Sequence, residues 1–244
     1  MLHGTVVSLH RWPVKSMGGE QVDALVVDGR GAAGDRTHAL YDVHQDASRR
    51  LTARQASRML RWSARYPDVA PDALDPDDPP LPHLTAPDGA GPWRWDDPAL
   101  PGALAADLGR SVTLRRDVTG QQDLGGTVLL TTAATHAAVE DVLGDLDLRR
   151  WRTNVHVRLD GVPAYAEEDW EGGSMEIGGV PFTFLHPCVR CVIPTRDPDT
   201  AERRPEILRW ITRARSGLFG MNARPTARGV LRVGDTVTIA PPGR

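Results

Sequence analysis

Short apolar runs with loose period-two alternation recur along the chain and are broken by glycine and proline turns. Residues 5–9, 24–27, 37–41, 112–114, 128–130 and 155–159 read as strands on that pattern. The run Val180-Pro181-Phe182-Thr183-Phe184-Leu185 reads as a buried strand, and 218–222, 229–233 and 236–239 as closing strands with Gly234-Asp235 as a hairpin turn. Helical spacing is confined to three places. Residues 103–108 form a short helix stopped by Gly109, and 133–143 one capped by Thr131 or Thr132 and ended by Gly144. Residues 202–216, with Ile207, Leu208 and Ile211 on one face, form the third, stopped by Gly217. Leu51-Thr52-Ala53-Arg54-Gln55 opens another element, with Met59, Leu60 and Trp62 supplying apolar surface. Residues 67–102, rich in Pro, Asp and Gly, are irregular connection around a short strand near Trp93-Arg94-Trp95. The pattern predicts a β-rich α+β fold: a small N-terminal barrel or sandwich, then a second β-unit carrying inserted helices.

Composition narrows the function classes. At 244 residues the chain buries one large core or two modest ones, and 40% hydrophobic with 25% charged residues is ordinary for a globular protein. A net charge of −3 gives no electrostatic case for nucleic acid or an anionic membrane. No apolar run reaches the roughly 18 residues of a membrane span. The N-terminal stretch resembles a first strand rather than a signal peptide, and with two thiols the expectation is a cytoplasmic protein. Of the 29 basic residues only Lys15 is lysine. In a chain that otherwise uses Arg, a compact ammonium beside Ser16, Gly18 and Gly19 suits a phosphate, although a surviving lysine under coding bias is the competing explanation. A pyridoxal Schiff base has only Lys15 available to it.

The candidate chemistry centres on His186-Pro187-Cys188-Val189-Arg190-Cys191, which holds both cysteines. Thiolates, not thiols, are nucleophiles and metal ligands, and nearby positive charge lowers the thiol pKa from about 8.5. Arg190 lies between the two cysteines and His186 just before them. Structural zinc needs a second ligand pair, which is absent, and a thioredoxin-like dithiol should open a helix, whereas Pro194 and Asp197-Pro198-Asp199 follow here. Two small buried residues at a strand end is the plain alternative. A second concentration, Arg149-Arg150-Trp151-Arg152-Thr153-Asn154, reads either as an anion clamp or as a solvated charged edge.

Several of these motifs together resemble the MOSC family, the domain also found at the C-terminus of molybdenum cofactor sulfurases. They are Trp12-Pro13-Val14-Lys15-Ser16, Gly34-Asp35-Arg36, Leu51-Thr52-Ala53-Arg54-Gln55 and Arg150-Trp151-Arg152-Thr153-Asn154. Tyr165-Ala166-Glu167-Glu168-Asp169-Trp170, Cys188-Val189-Arg190-Cys191, Asp197-Pro198-Asp199-Thr200 and Val233-Gly234-Asp235 complete the order. The likeness is to members with an N-terminal β-barrel, such as the mitochondrial amidoxime-reducing component. It implies a MOSC N-terminal barrel domain over 1–108 and a MOSC β-barrel over 109–244. It also implies a molybdenum cofactor, a pyranopterin dithiolene with a terminal phosphate. By similarity Cys191 is the catalytic residue that ligates molybdenum, and Lys15, Ser16, Arg36, Arg152 and Asn154 hold the pterin and its phosphate. The implied activity is reduction of small N-hydroxylated substrates with electrons from a separate donor protein, the chain having no haem, flavin or iron–sulfur motif. A cofactor carrier or persulfide-transfer module is the alternative. Thr153 stands where relatives often have Pro, Pro194 where they have Thr, and Ala201 where they have Gly.

Overall fold

The computed structural model describes residues 1–43, 49–118 and 127–243. The first part of the chain gives β1 (Leu2–Arg11), β2 (Glu20–Val22), β3 (Ala24–Asp28), β4 (Gly31–Ala32), β5 (His38–Asp42), β6 (Ser63–Arg65), β7 (His83–Thr85) and β8 (Trp93–Arg94). Next come α1 (Leu100–Leu108), β9 (Val112–Arg116), β10 (Val128–Thr132), α2 (Ala133–Leu143) and β11 (Val155–Leu159). The chain ends with β12 (Ser174–Ile177), β13 (Val180–Val189), α3 (Pro205–Arg215), β14 (Leu218–Pro225), β15 (Gly229–Arg232) and β16 (Thr236–Ala240).

Seven strands close a barrel in the order β11-β10-β14-β13-β12-β16-β1, with β1 pairing back onto β11. Closure leaves no unpaired edge among these strands. Its first strand comes from the N-terminus, so the two ends of the chain share one hydrogen-bonded sheet, with Leu2 opposite Ile239. β10 and β11 are parallel, joined by the crossover helix α2. Thr132 caps that helix by accepting the Thr135 N–H at 3.2 Å. The alternation in β13 sends Val180, Phe182 and Phe184 inward against Val128, Leu130, Met221 and Ile239. Each buried phenylalanine contributes about 2 kcal/mol by removal of apolar area from water.

The N-terminal segment builds a second core around Val14, Met17, Leu40, Met59, Trp62 and Leu104, under the sheets β5-β9 and β6-β7-β8. A third cluster, Val139, Trp151, Ile207, Ile211 and Phe219, seats α2 and α3 on the barrel wall, with Trp151 and Phe219 stacked at 3.9 Å between ring centroids. No described helix is long and apolar enough to cross a membrane.

Most elements lie where the periodicity predicts, and the differences have physical causes. β13 runs four residues past Leu185 because β14 continues to pair with it through two register shifts, at Phe184/His186 and Pro187/Val189. Leu51–Gln55 is not the start of a regular element. It is a turn closed by its own side chains, followed by a short 3-10 helix Ser57–Arg61. β12 has no counterpart among the predicted strands. It is a four-residue partner of β13 reached through the Gly178-Gly179 turn, where both residues have positive φ.

Candidate functional site

A cavity of about 370 Å³ opens where the barrel meets the N-terminal unit. Four segments far apart in sequence supply its walls: Lys15-Ser16 after β1, Arg36 before β5, Trp151-Arg152 before β11, and Cys188 to Cys191 at the end of β13. The turn carrying Arg50, Thr52 and Arg54 adds a further edge. Of the residues singled out from sequence, Lys15, Ser16, Arg36, Arg152 and Cys191 meet here.

The backbone at this cavity is unusual. Six non-glycine described residues have positive φ, and three of them, Ser16 (65°), Arg36 (51°) and Arg152 (52°), line it. The left-handed region costs an L-residue about 1–2 kcal/mol, so such a concentration marks a place where side-chain direction is set against local preference. Tertiary bonds hold the three in position. Arg36 Nη1 donates to Asp35 Oδ2 at 2.8 Å and its Nη2 to the Arg152 carbonyl at 3.2 Å. Arg152 Nη1 donates to the Met17 carbonyl at 2.5 Å, and its guanidinium lies 4.4 Å from the Trp12 ring centroid. Ser16 is buried, and its Oγ has no hydrogen-bond partner among the described residues. An orphaned buried hydroxyl on a cavity wall is a group waiting for a ligand atom.

Behind the wall, Asp35 joins the segments. Its Oδ1 accepts the Trp12 N–H at 2.7 Å and Asn154 Nδ2 at 3.1 Å, and its Oδ2 accepts Arg36. Burial pushes this carboxyl's pKa up, against the pull of the Arg36 and Arg152 guanidiniums. Asn154 does not line the cavity. Its carboxamide is consumed by the scaffold, with Oδ1 accepting the Leu129 N–H and Nδ2 donating to the His10 carbonyl and to Asp35. Its neighbours Arg149 and Arg150 are also occupied elsewhere, pairing with Asp147, Asp199 and Asp197. Of the four cationic or amide side chains in that run, Arg152 alone reaches the cavity. The Asp197-Pro198-Asp199 turn is therefore structural, clamping the 3-10 turn Leu148–Trp151 that delivers Arg152.

The thiols are free and half-buried. Arg190 Nη1 lies 3.1 Å from Cys188 Sγ, while its Nη2 donates to the Trp151 carbonyl at 2.6 Å and its N–H to the Gly217 carbonyl. The strand bulges just before this point re-aim the chain out of the barrel's alternation. Val189, exposed, forms part of the rim.

Residues that sequence reasoning did not assign to the site also line it. Thr127, Trp151, Arg190 and Asn222 do so, together with Arg50, Thr52 and Arg54. Thr52 and Arg54 were visible only within the Leu51–Gln55 motif, Arg50 lay just outside it, and Asn222 lay inside an ordinary closing strand.

Family profiles match most of the chain: the MOSC N-terminal beta barrel domain over residues 3–88 and the MOSC domain over residues 117–238. The chain belongs to the MOSC family. That family is associated with molybdenum cofactor binding. Among solved structures, the YUAD protein from Bacillus subtilis is 14% identical, with a TM-score of 0.53 and full coverage of both chains. YiiM from Geobacillus stearothermophilus is 16% identical over 46% of this chain and 53% of that one, at a TM-score of 0.37. At these identities the YUAD likeness concerns the fold alone. No curated protein matched the chain by sequence.

The donor set fits such a cofactor. The described residues contain no group of three or more His, Cys, Asp or Glu placed to hold a metal. A metal held by one thiolate here must therefore arrive with most of its ligands, as a dithiolene-bound metal does. The volume is within the range of small-molecule sites, and the orphaned Ser16 hydroxyl beside two arginines and a lysine matches a phosphate ester.

Proposed function

We propose that the protein is a molybdenum-cofactor oxidoreductase that reduces small N-hydroxylated compounds with electrons from a separate redox protein. The observation that carries this reading is that Lys15, Ser16, Arg36 and Arg152 share one cavity with Cys191. Cys191 would hold the molybdenum through its thiolate, a soft donor suited to a metal already ligated by sulfur. Lys15, Arg36 and Arg152 would supply charge to the terminal phosphate and pterin, and Ser16 a hydroxyl that the fold leaves unused. The bound cofactor supplies the two-electron chemistry of the overall reaction R–NH–OH + 2 e⁻ + 2 H⁺ → R–NH₂ + H₂O. The chain's own part is to orient both components and to limit water at the cavity floor, where Ser16, Arg36 and Arg152 are each less than a tenth exposed.

The test is molybdenum content per chain for protein made in a host that synthesises the cofactor. Wild type should approach one metal per chain, and Cys191→Ser should lose most of it. Trace molybdenum that Cys191→Ser leaves unchanged refutes the reading.

A second reading, a cofactor carrier or persulfide-transfer module, is favoured by one contact. Cys188 Sγ lies on the Arg190 guanidinium in the same cavity as Cys191, an arrangement that suits a sulfur-bearing anion. It predicts the mass of one added sulfur atom on the intact protein, and cofactor binding without reduction of an amidoxime.

A further inference from the structure

The cavity lining is electrostatically one-sided. It carries Lys15, Arg36, Arg50, Arg54, Arg152 and Arg190, and among the described residues it has no carboxylate. The deeper cations are tied into the fold: Arg36 to Asp35, Arg152 to the Met17 carbonyl and the Trp12 face, Arg190 to Cys188 and the Trp151 carbonyl. Arg54 differs. It is exposed at the edge of the cavity, and its side chain has no hydrogen-bond or ion-pair partner among the described residues.

The turn that presents Arg54 is rigid. Leu51 and Ala53 on either side of Thr52 are only 2% and 3% exposed, with Leu51 in the N-terminal core. Thr52 Oγ1 donates to Gln55 Oε1 at 2.6 Å and accepts the Arg54 N–H at 3.3 Å, while the Thr52 carbonyl accepts the N–H groups of Gln55 and Ala56. A closed turn anchored by Leu51 and Ala53 thus fixes the backbone of a cation that pairs with no described residue. Clefts lined by one sign of charge concentrate ligands of the opposite sign, and a preorganised guanidinium loses little entropy on forming a bidentate pair.

We propose that Arg54 is a specificity-determining residue that makes this site prefer N-oxygenated substrates bearing a separate anionic group, a carboxylate or a phosphate. The inference rests on the reading of the cavity as a reductase site. The Arg54 guanidinium would receive the remote anion at the rim while the N–O group lies deeper, toward Cys191. The interaction is made equally in the ground and transition states, so it belongs in KM rather than kcat.

The experiment uses the molybdenum-loaded full chain and two probes, benzamidoxime and para-carboxybenzamidoxime. Turnover is followed with an artificial electron donor, and binding is measured by calorimetry on oxidised protein without donor. Wild type should prefer the carboxylated probe by about tenfold in kcat/KM, the worth of one charge-assisted pair at a partly desolvated rim. The preference should lie in KM, appear equally in the calorimetric Kd, and shrink as salt is raised. Arg54→Gln should bring it to about unity, and Arg54→Lys should restore part of it.

Equal reduction of both probes by wild type, or a preference that Arg54→Gln leaves in place, overturns the inference and leaves the reductase reading standing. Failure of wild type to bind or reduce either probe overturns both. Loss of molybdenum from Arg54→Gln would assign the residue to the cofactor, and overturns the inference as well.

Discussion

Asn154→Ala separates scaffold from ligand at this site. The side chain is fully buried, and its carboxamide makes three bonds: from the Leu129 N–H at 3.1 Å, to the His10 carbonyl at 3.2 Å and to Asp35 Oδ1 at 3.1 Å. Its partners sit on β10, on β1 and on the turn that carries Arg36, so one amide ties three of the cavity's supports together. At a net value of about 1 kcal/mol per buried hydrogen bond, truncation should cost about 3 kcal/mol. For a chain of this size that is a fall of about 10 °C in Tm. Urea unfolding followed by tryptophan fluorescence measures the change, and molybdenum per folded chain is measured on the same preparation. The metal content should stay close to that of wild type, because Asn154 does not line the cavity. Unfolding within about 0.5 kcal/mol of wild type, together with lost molybdenum, would make Asn154 a direct cofactor ligand and refute the reasoning.

Two further outcomes follow from buried groups and from backbone strain. Burial holds His10 and His156 down to about 4 and His38 to about 3, from 6.5. Around them stand Asp147 and Arg149 for His10, His136 and Arg158 for His156, and Arg116 for His38. Below pH 6.5 the unfolded chain binds protons that these folded rings refuse. Stability is therefore full above about pH 6.5 and falls as pH drops toward 4, by up to about 3 kcal/mol per ring. His10→Gln should flatten a urea-midpoint profile across that window, and an unchanged slope refutes the assignment. In a paired comparison, Ala201→Gly relieves a φ of 61° away from the cavity and should raise Tm by a few degrees with molybdenum unchanged. Ser16→Gly relieves a φ of 65° but removes the orphaned hydroxyl, so it should lower cofactor retention despite the relaxed backbone. Equal retention by both variants would remove Ser16 from the site.

Where the hydrophobic period was strong, sequence and structure agree closely. The helix over 133–143 has the same bounds in both, because Thr132 caps it and Gly144 ends it with a positive φ. The strand over 155–159 likewise agrees in its bounds, with Val155 and Val157 in the barrel core, although His156 between them is buried too, bonded to the Thr131 hydroxyl. Short strands such as β6 and β7 were not legible. Three residues carry no measurable period, and pairing with distant partners creates them. At the site, residue type was legible and orientation was not. Asn154 and Arg152 stand two positions apart with equally suitable chemistry. The left-handed turn at Arg152 sends one toward the cavity, while strand geometry from Val155 keeps the other in the wall. Arg54 failed differently: its surroundings gave no sign of the cavity, because the cavity's other walls lie far away in sequence.

The three strained residues also explain how such a distributed site can be built at all. Each lies on a different segment, and each segment's direction depends on another's bond. Arg36 donates to the Arg152 carbonyl, Arg152 donates to the Met17 carbonyl beside Ser16, and Trp12, just past β1 on the way to Ser16, donates its indole N–H to the Thr153 carbonyl. A backbone held at about 1–2 kcal/mol above its local preference persists only when its neighbours over-determine it. Here the over-determination is mutual, so the three positions rise or fall as a unit. Arg36 and Arg152 are consequently held by the chain rather than gathered by a ligand, and binding does not have to supply their ordering. Substitutions at Ser16, Arg36 and Arg152 should therefore be non-additive, each single change already removing much of what all three together provide.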